Sequence, residues 1–302
     1  MLERIYFWKV RRGYNPPVIA TAATVAILFI IAIGAFVWWY YGVKVPADDK
    51  RAAQQRALRK QQAGLADIAA FYKKSLTGVE IPQAINVLEE IHHTSLILSA
   101  LGVAIKNRGF ICDVKGCAVG FNIEQGSILT LPIINFFGKT YPASVPVRRE
   151  KDRAPANDFE YSRLALPVTE NKLFIQWRKQ QALSLHSCNE IIAYVNTYNS
   201  LLTTKKSNKA QHDGIILFKT YPASAVKEKE AALASHLSFR GLMSASWEMQ
   251  ISNDNARFSV DGAELNAQLA LYKQAYRDAF LIKKIESNDK GIKISGGLVC
   301  KA

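Results

Sequence analysis

No charged residue occurs between Arg12 and Lys44, and nothing else in this chain constrains it as strongly. Inside that gap Val18–Val43 reads VIATAATVAILFIIAIGAFVWWYYGV. A helix rises about 1.5 Å per residue, so these roughly 26 residues span about 39 Å, against a bilayer hydrocarbon core of about 30 Å. The run predicts a transmembrane helix over 18–43, with length left for tilt. Pro16 and Pro17 suit its first turn, where backbone N–H groups have no helical partner. Trp38, Trp39, Tyr40 and Tyr41 form an aromatic belt at the far interface. A cleaved signal peptide is the competing reading. Against it, the run exceeds the roughly 7–15 residues of a signal's apolar core, and no small-residue cleavage site follows cleanly.

Charge then sets the orientation. Arg4, Lys9, Arg11 and Arg12 cluster tightly before the span, whereas Lys44, Lys50, Arg51, Arg56, Arg59 and Lys60 trail away after it. Large domains translocate largely regardless of their own charge, so we expect the N-terminus inside and the C-terminal residues outside the cytoplasm. The chain holds 39 Lys+Arg and 25 Asp+Glu, a formal net charge of +14. Ten of those basic residues and three of the acidic ones lie in residues 1–60. The remainder is only mildly basic, and it shows no aromatic-interleaved RNA motif or recognition helix; nucleic acid is not an expected partner.

Four cysteines are too few for a disulfide-built miniprotein. Cys112 and Cys117 flank a Lys115-Gly116 turn between β-prone residues, which predicts a hairpin clipped by a disulfide. Half of a metal site is the alternative, but no second Cys/His pair stands at ligand spacing. Cys188 and Cys300 are left over and form a candidate second bridge in an outside compartment.

The chain divides into a tail (1–17), the span (18–43), a helical stalk (44–78) and two α+β modules (79–172 and 173–302). In the tail, Leu2, Ile5, Tyr6, Phe7 and Trp8 stand beside the basic residues Arg4, Lys9, Arg11 and Arg12. That composition suits an interfacial anchor on anionic lipid, or a docking peptide for a cytoplasmic partner. The stalk is rich in Ala, Gln, Lys and Arg. Its apolar positions, Ala57, Leu58, Leu65, Ile68, Ala69 and Tyr72, suit a short coiled coil with one partner helix.

Pro82 opens a helix expected over about 82–106, with Leu88, Ile91, Ser95, Leu98, Leu101 and Ile105 on one face. Strands follow near 109–113 and 117–123, then an apolar stretch Ile128–Phe137 and a strand in FEYSRLALPV. A long helix over about 173–204 begins the second module. Its sequel is strand Ile215–Tyr221, helix 224–238, strand Ala245–Ser252, turn Asn253–Asn255, strand Ala256–Val260, helix Ala263–Ala279, strand Phe280–Glu286 and strand Gly291–Val299. This βαββαβ order, with one extra strand, is the ferredoxin-like plan. The fold class is therefore α+β. One echo stands out: Lys139–Ser144 and Lys219–Ser224 both read KTYPAS. Tyr-Pro forces an extended dipeptide, so we expect a repeated strand-exit turn.

Catalytic signatures are missing. Gly138-Lys139-Thr140 ends like a phosphate-binding loop, but the first glycine of that motif would fall at Ile133. His92 and His93, near Glu89, are adjacent on a helix and point about 100° apart, so both cannot face one metal. His186 lies two residues from Cys188, a pair that disulfide bonding would disable. There is no H-E-x-x-H or G-x-S-x-G, so neither enzyme activity nor a cofactor or metal is expected.

In its order of tail, single span, helical stalk and α+β modules, the chain resembles the bitopic inner-membrane platform proteins. These are the PilN/PilO class of type IV pili and the equivalent assembly proteins of type II secretion. The likeness is to the type IVb pilin accessory proteins in RGFICDVKGCAVGFNIEQGS and in MQISNDNARFSVDGAELNAQLALYKQAYRDAFLIKKIE. The resemblance implies a non-enzymatic scaffold in a bacterial inner membrane, paired with itself or another bitopic protein. Its further partners would be a polytopic platform protein and, indirectly, a cytoplasmic ATPase. Type IVb relatives carry a larger region before the span, so a docking role for Leu2–Trp8 follows the short-tailed members. Pairing through Ala57, Leu58, Leu65, Ile68 and Tyr72 fits that role. A conjugation or type IV secretion channel scaffold has the same topology, and a periplasmic ligand sensor is a third reading.

Overall fold

The computed structural model describes residues 16–101, 105–124, 130–145, 158–167, 170–203, 214–252, 263–288 and 291–302. The tail residues Leu2, Ile5, Phe7 and Trp8, the turn Asn253–Asn255 and the strand Ala256–Val260 lie outside them. The chain separates into two compact units, meeting between Gly64 and Leu65.

The first unit is helical. Helix α1 (Pro16–Trp39) passes through a π-helical turn (Tyr40–Lys44) into α2 (Val45–Leu76). Proline explains the turn. Pro46 has no N–H to give to Gly42, and its ring crowds that carbonyl. The preceding ladder widens, and the Val45 N–H bonds Tyr40 O, five residues back. From Thr24 onward the apolar side chains of α1 are exposed: Phe29 and Ile30 are 69% and 68% exposed. Lys44 Nζ lies 5.5 Å from the Tyr40 ring centre and 6.0 Å from that of Trp39. Among the described residues one helix is thus long and apolar enough to cross a membrane. By length and composition it is a single membrane span or a signal sequence.

The second unit is built on one antiparallel sheet of seven strands. They are β1 (Ile105–Asp113), β2 (Gly116–Ile123), β5 (Asp158–Leu164), β6 (Ile216–Ala223), β7 (Leu242–Ser252), β8 (Phe280–Asn288) and β9 (Gly291–Lys301). Their order is β5-β2-β1-β8-β9-β7-β6. A small hairpin, β3 (Ile134–Phe136) with β4 (Lys139–Tyr141), stands apart. Among the described residues the α-helical segments beside the sheet are the end of α2, α3 (Ile81–Ser99), α4 (Lys172–Arg178), α5 (Cys188–Thr203), α6 (Lys227–Ala232) and α7 (Ala263–Tyr272).

Strand alternation sorts the side chains onto two faces. Phe110, Val119, Phe121, Tyr161, Trp247, Ile285 and Ile294 face one way and form the larger core with Leu88 of α3, Ile191 of α5 and Leu271 of α7. Leu242, Leu281 and Val299 face the other way and meet Ile68, Tyr72 and Leu76 of α2 and Leu173 of α4. Both stretches read as modules feed this one sheet, through the pairing of Cys112 with Ile285. Two αββ units emerge, α3-β1-β2 and α7-β8-β9. Their first strands pair antiparallel and their helices touch.

The structure is mixed helix and antiparallel sheet, as the α+β class requires. Its pairing does not establish a ferredoxin-like unit. A split βαβ unit encloses another strand between its two parallel strands, whereas β6 and β7, which flank α6, pair directly and antiparallel.

Helix α3 begins as expected, with a capping box between Glu80 and Gln83 and Pro82 in the first turn. It ends at Ser99 rather than near 106, because Ile105 is already paired with Ile123 in the β1–β2 ladder. The long helix expected over 173–204 is two helices. Gln180 takes a left-handed backbone (φ 55°), and the extended link that follows buries Leu183 and Leu185 in the second core. Helix α7 stops at Tyr272, short of the expected Ala279.

Candidate functional site

Both cysteine pairs are bonded. Cys112–Cys117 closes the β1–β2 hairpin, whose turn is held by the Lys115 N–H donating to Asp113 Oδ1 at 2.7 Å. Gly116 has φ 147°, and a Cβ there would sit 2.6 Å from Leu164 O on β5, so only glycine fits. Cys188–Cys300 bolts the start of α5 to the end of β9.

The stalk residues divide. Ala57 and Leu58 are exposed, Leu58 by 57%, and Leu65 is half-buried. Ile68 and Tyr72 are buried in the chain's own second core, at 4% and 2% exposure. These two are therefore not free to pair with a partner helix; the apolar period read as a coiled-coil seam continues into a seat on the sheet.

That seat is the most elaborate cluster in the described structure. Tyr72 Oη donates to Glu230 Oε1 at 2.6 Å, and the Gly241 N–H donates to Glu230 Oε2 at 3.2 Å. Burial first, then the hydrogen bond to and negative charge of Glu230, push the Tyr72 phenol well above its ordinary value. The Tyr72 ring stacks at 6.4 Å on Trp177 and meets Phe239 edge-on at 6.0 Å; Phe174 leans on Trp177 at 5.6 Å. Asn171, buried on the N-cap of α4, donates to Leu76 O and Gly78 O at 2.6 and 2.8 Å. It satisfies carbonyls at the end of α2. Lys283 Nζ donates to Lys74 O at 2.9 Å; burial, then the charge of Lys74, lowers its pKa.

Two hollows flank the segment Leu237–Phe239. One, about 160 Å³, lies between Tyr72, Trp177 and Phe239. The other is an open groove of about 570 Å³ beside Lys227, Glu230 and Arg240. Sequence reasoning found Tyr72 but gave it another role, and it missed Trp177, Glu230 and Phe239.

Elsewhere the second face of the sheet, on the Leu242 side, carries a charge ladder. Glu248 accepts from Lys219 Nζ at 2.6 Å and meets Lys293 at 3.2 Å. The Lys219 hydrogen bond is the chief cause of its lowered pKa. The KTYPAS copies sit at opposite sheet edges. The first forms β4 and then pairs Ser144 with Glu160 beside β5; the second forms the end of the outermost strand, β6. Both copies thus hold a strand end, after Tyr141 in the first and after Ala223 in the second. Proline at either edge weakens pairing with another strand. Helix α7 shows an apolar stripe, Leu265, Leu269 and Tyr272, exposed by 41, 43 and 51%. Among the described residues no group of three His, Cys, Asp or Glu is placed to hold a metal ion.

Compared with known protein families, with curated proteins and with solved structures, the chain matches none.

Proposed function

We propose that this chain is a non-enzymatic scaffold of a type IV pilus or type II secretion assembly platform. It sits in a bacterial inner membrane, N-terminus inside, with residues after the span in the periplasm. The observation that carries this reading is α1: an apolar helix, exposed from Thr24 onward, followed without a break by the long α2. The two disulfides favour an oxidising compartment for the second unit. Basic residues on both sides of the span can meet lipid headgroups.

Scaffolds need surfaces to hold partners, and two are open. Leu58 lies on the exposed part of α2, and the α7 stripe is larger than a single scattered apolar residue. A second copy, or another bitopic protein, would cover them, with a polytopic platform protein beside the span and a cytoplasmic ATPase reached indirectly. Cells lacking the chain should lose surface pili or secretion. The full chain should restore it, and residues 65–302 without the span should not. Restoration by the untethered unit would contradict the scaffold reading.

A further inference from the structure

Between α1 and α2 the helical hydrogen-bond ladder is interrupted. Pro46 has no N–H for Gly42 O, and Val45 gives its N–H to Tyr40 O rather than to Tyr41 O. Two successive carbonyls, those of Tyr41 and Gly42, thus lose their usual partners four residues on. No residue of the turn Tyr40–Lys44 is buried; Tyr41 and Val43 are 67% and 47% exposed. Among the described residues no packed neighbour fixes the angle of the chain there. Gly42 loosens it further. A Cβ on Gly42 would meet only Trp38, at 3.9 Å, which is ordinary contact, so no close approach demands glycine. What glycine does at this place is weaken the helix relative to alanine.

The flanks differ from the turn. Before it, Phe36 stacks on Tyr40 at 6.1 Å, Tyr40 meets Tyr41 edge-on at 5.2 Å, and Lys44 folds back over the Tyr40 and Trp39 rings. Aromatic rings at the end of an apolar helix anchor it at the membrane surface. After it, α2 is rich in Ala, Gln, Lys and Arg, strong helix formers that make a stiff rod. Position decides the consequence of the lost bonds. Deep in hydrocarbon, two unpaired carbonyls would be costly. Just past an aromatic belt, water and headgroups satisfy them at any bend angle. From this we infer that Tyr40–Lys44 is a hinge: α1 stays fixed in the bilayer while α2 leans to different angles from it. The inference rests on α1 being a retained membrane span and not on which machine the chain serves.

The test uses the full chain in lipid nanodiscs, with nitroxide labels and pulsed electron spin resonance. All four native cysteines are in disulfides, so labels attach only at introduced thiols. Ile27→Cys with Gln55→Cys places one label on each side of the turn, roughly 42 Å apart on a straight helix. Ala47→Cys with Gln62→Cys lies within α2 and sets the width expected of a rigid helix. The distance distribution across the turn should be at least twice as broad as within α2. Pro46→Ala restores the missing N–H and should narrow it to the α2 width, and Gly42→Ala should narrow it part of the way. Neither change removes a packed side chain, so both variants should fold. The inference is overturned if the parent distribution across the turn is as narrow as within α2, whether straight or bent, or if Pro46→Ala leaves a broad one unchanged. Oxygen and aqueous nickel accessibility of the Ile27 label separates the two readings. A lipid-shielded label with a narrow distribution overturns the hinge alone, and a water-exposed label overturns the membrane span and the hinge with it.

Discussion

Tyr72 on the last turns of α2 donates a hydrogen bond from its phenol to Glu230 on α6 at 2.6 Å, across 158 residues of sequence. This bond fastens the foot of the stalk to the sheet's second face, and the carboxylate it satisfies is 4% exposed. Tyr72→Phe leaves Glu230 buried with one remaining donor, the Gly241 N–H. We expect a loss of about 1–3 kcal/mol, the cost of an unsatisfied buried polar group. Glu230→Gln keeps an acceptor and should cost less. Urea unfolding followed by tryptophan fluorescence checks both.

Alkali should weaken the fold before it alters the backbone. Burial raises Tyr161 to about 12, and Tyr72 is raised further. Unfolded tyrosine loses its proton near pH 10. Above that pH the unfolded chain holds fewer protons than the folded one, so stability is full below about pH 10 and falls as pH rises toward 12. Urea midpoints at pH 8 and pH 11 measure this, and Tyr161→Phe should reduce the loss.

The two disulfides should differ in weight. Cys188 and Cys300 are 112 residues apart, Cys112 and Cys117 only five. On the chain-entropy model the long loop contributes about 4–5 kcal/mol and the short one about 2. Replacing Cys188 and Cys300 by Ser should therefore lower the unfolding midpoint more than replacing Cys112 and Cys117. The reverse order would mean that hairpin closure matters more than the α5–β9 tie.

Along α2 the boundary between free and seated residues is sharp. Ile68→Ala should cost about 2–4 kcal/mol, as a buried large-to-small change does. Leu58→Ala should stay within about 0.5 kcal/mol, as an exposed change does. If α2 pairs with a second copy in membranes, Leu58→Cys should crosslink to it and Ile68→Cys should not. Melting curves and non-reducing gels distinguish these outcomes.

Much of the local structure was legible. The long apolar helix, the start of α3 at Pro82, the Lys115-Gly116 hairpin and the β8–β9 hairpin follow from charge gaps, proline and turn residues, all of them short-range signals. What was not legible is long-range. Nothing near Ile68 or Tyr72 distinguishes a coiled-coil seam from a seat on a sheet, since both ask for apolar residues at helical spacing. The break between α4 and α5 is set by Leu183 and Leu185 reaching a core made by distant strands. The direct pairing of β6 with β7, and the fusion of both stretches into one sheet, depend on contacts that no window of sequence contains. The cluster of Trp177, Phe239 and Glu230 escaped for the same reason.

The most direct test of the scaffold reading is crosslinking in intact cells, with capture of the membrane-extracted chain through a tag after Ala302. Mass spectrometry of the captured proteins should identify a second bitopic protein, a polytopic platform protein and an assembly ATPase. Recovery of the chain alone, under conditions that crosslink its own copies, would contradict the assembly role.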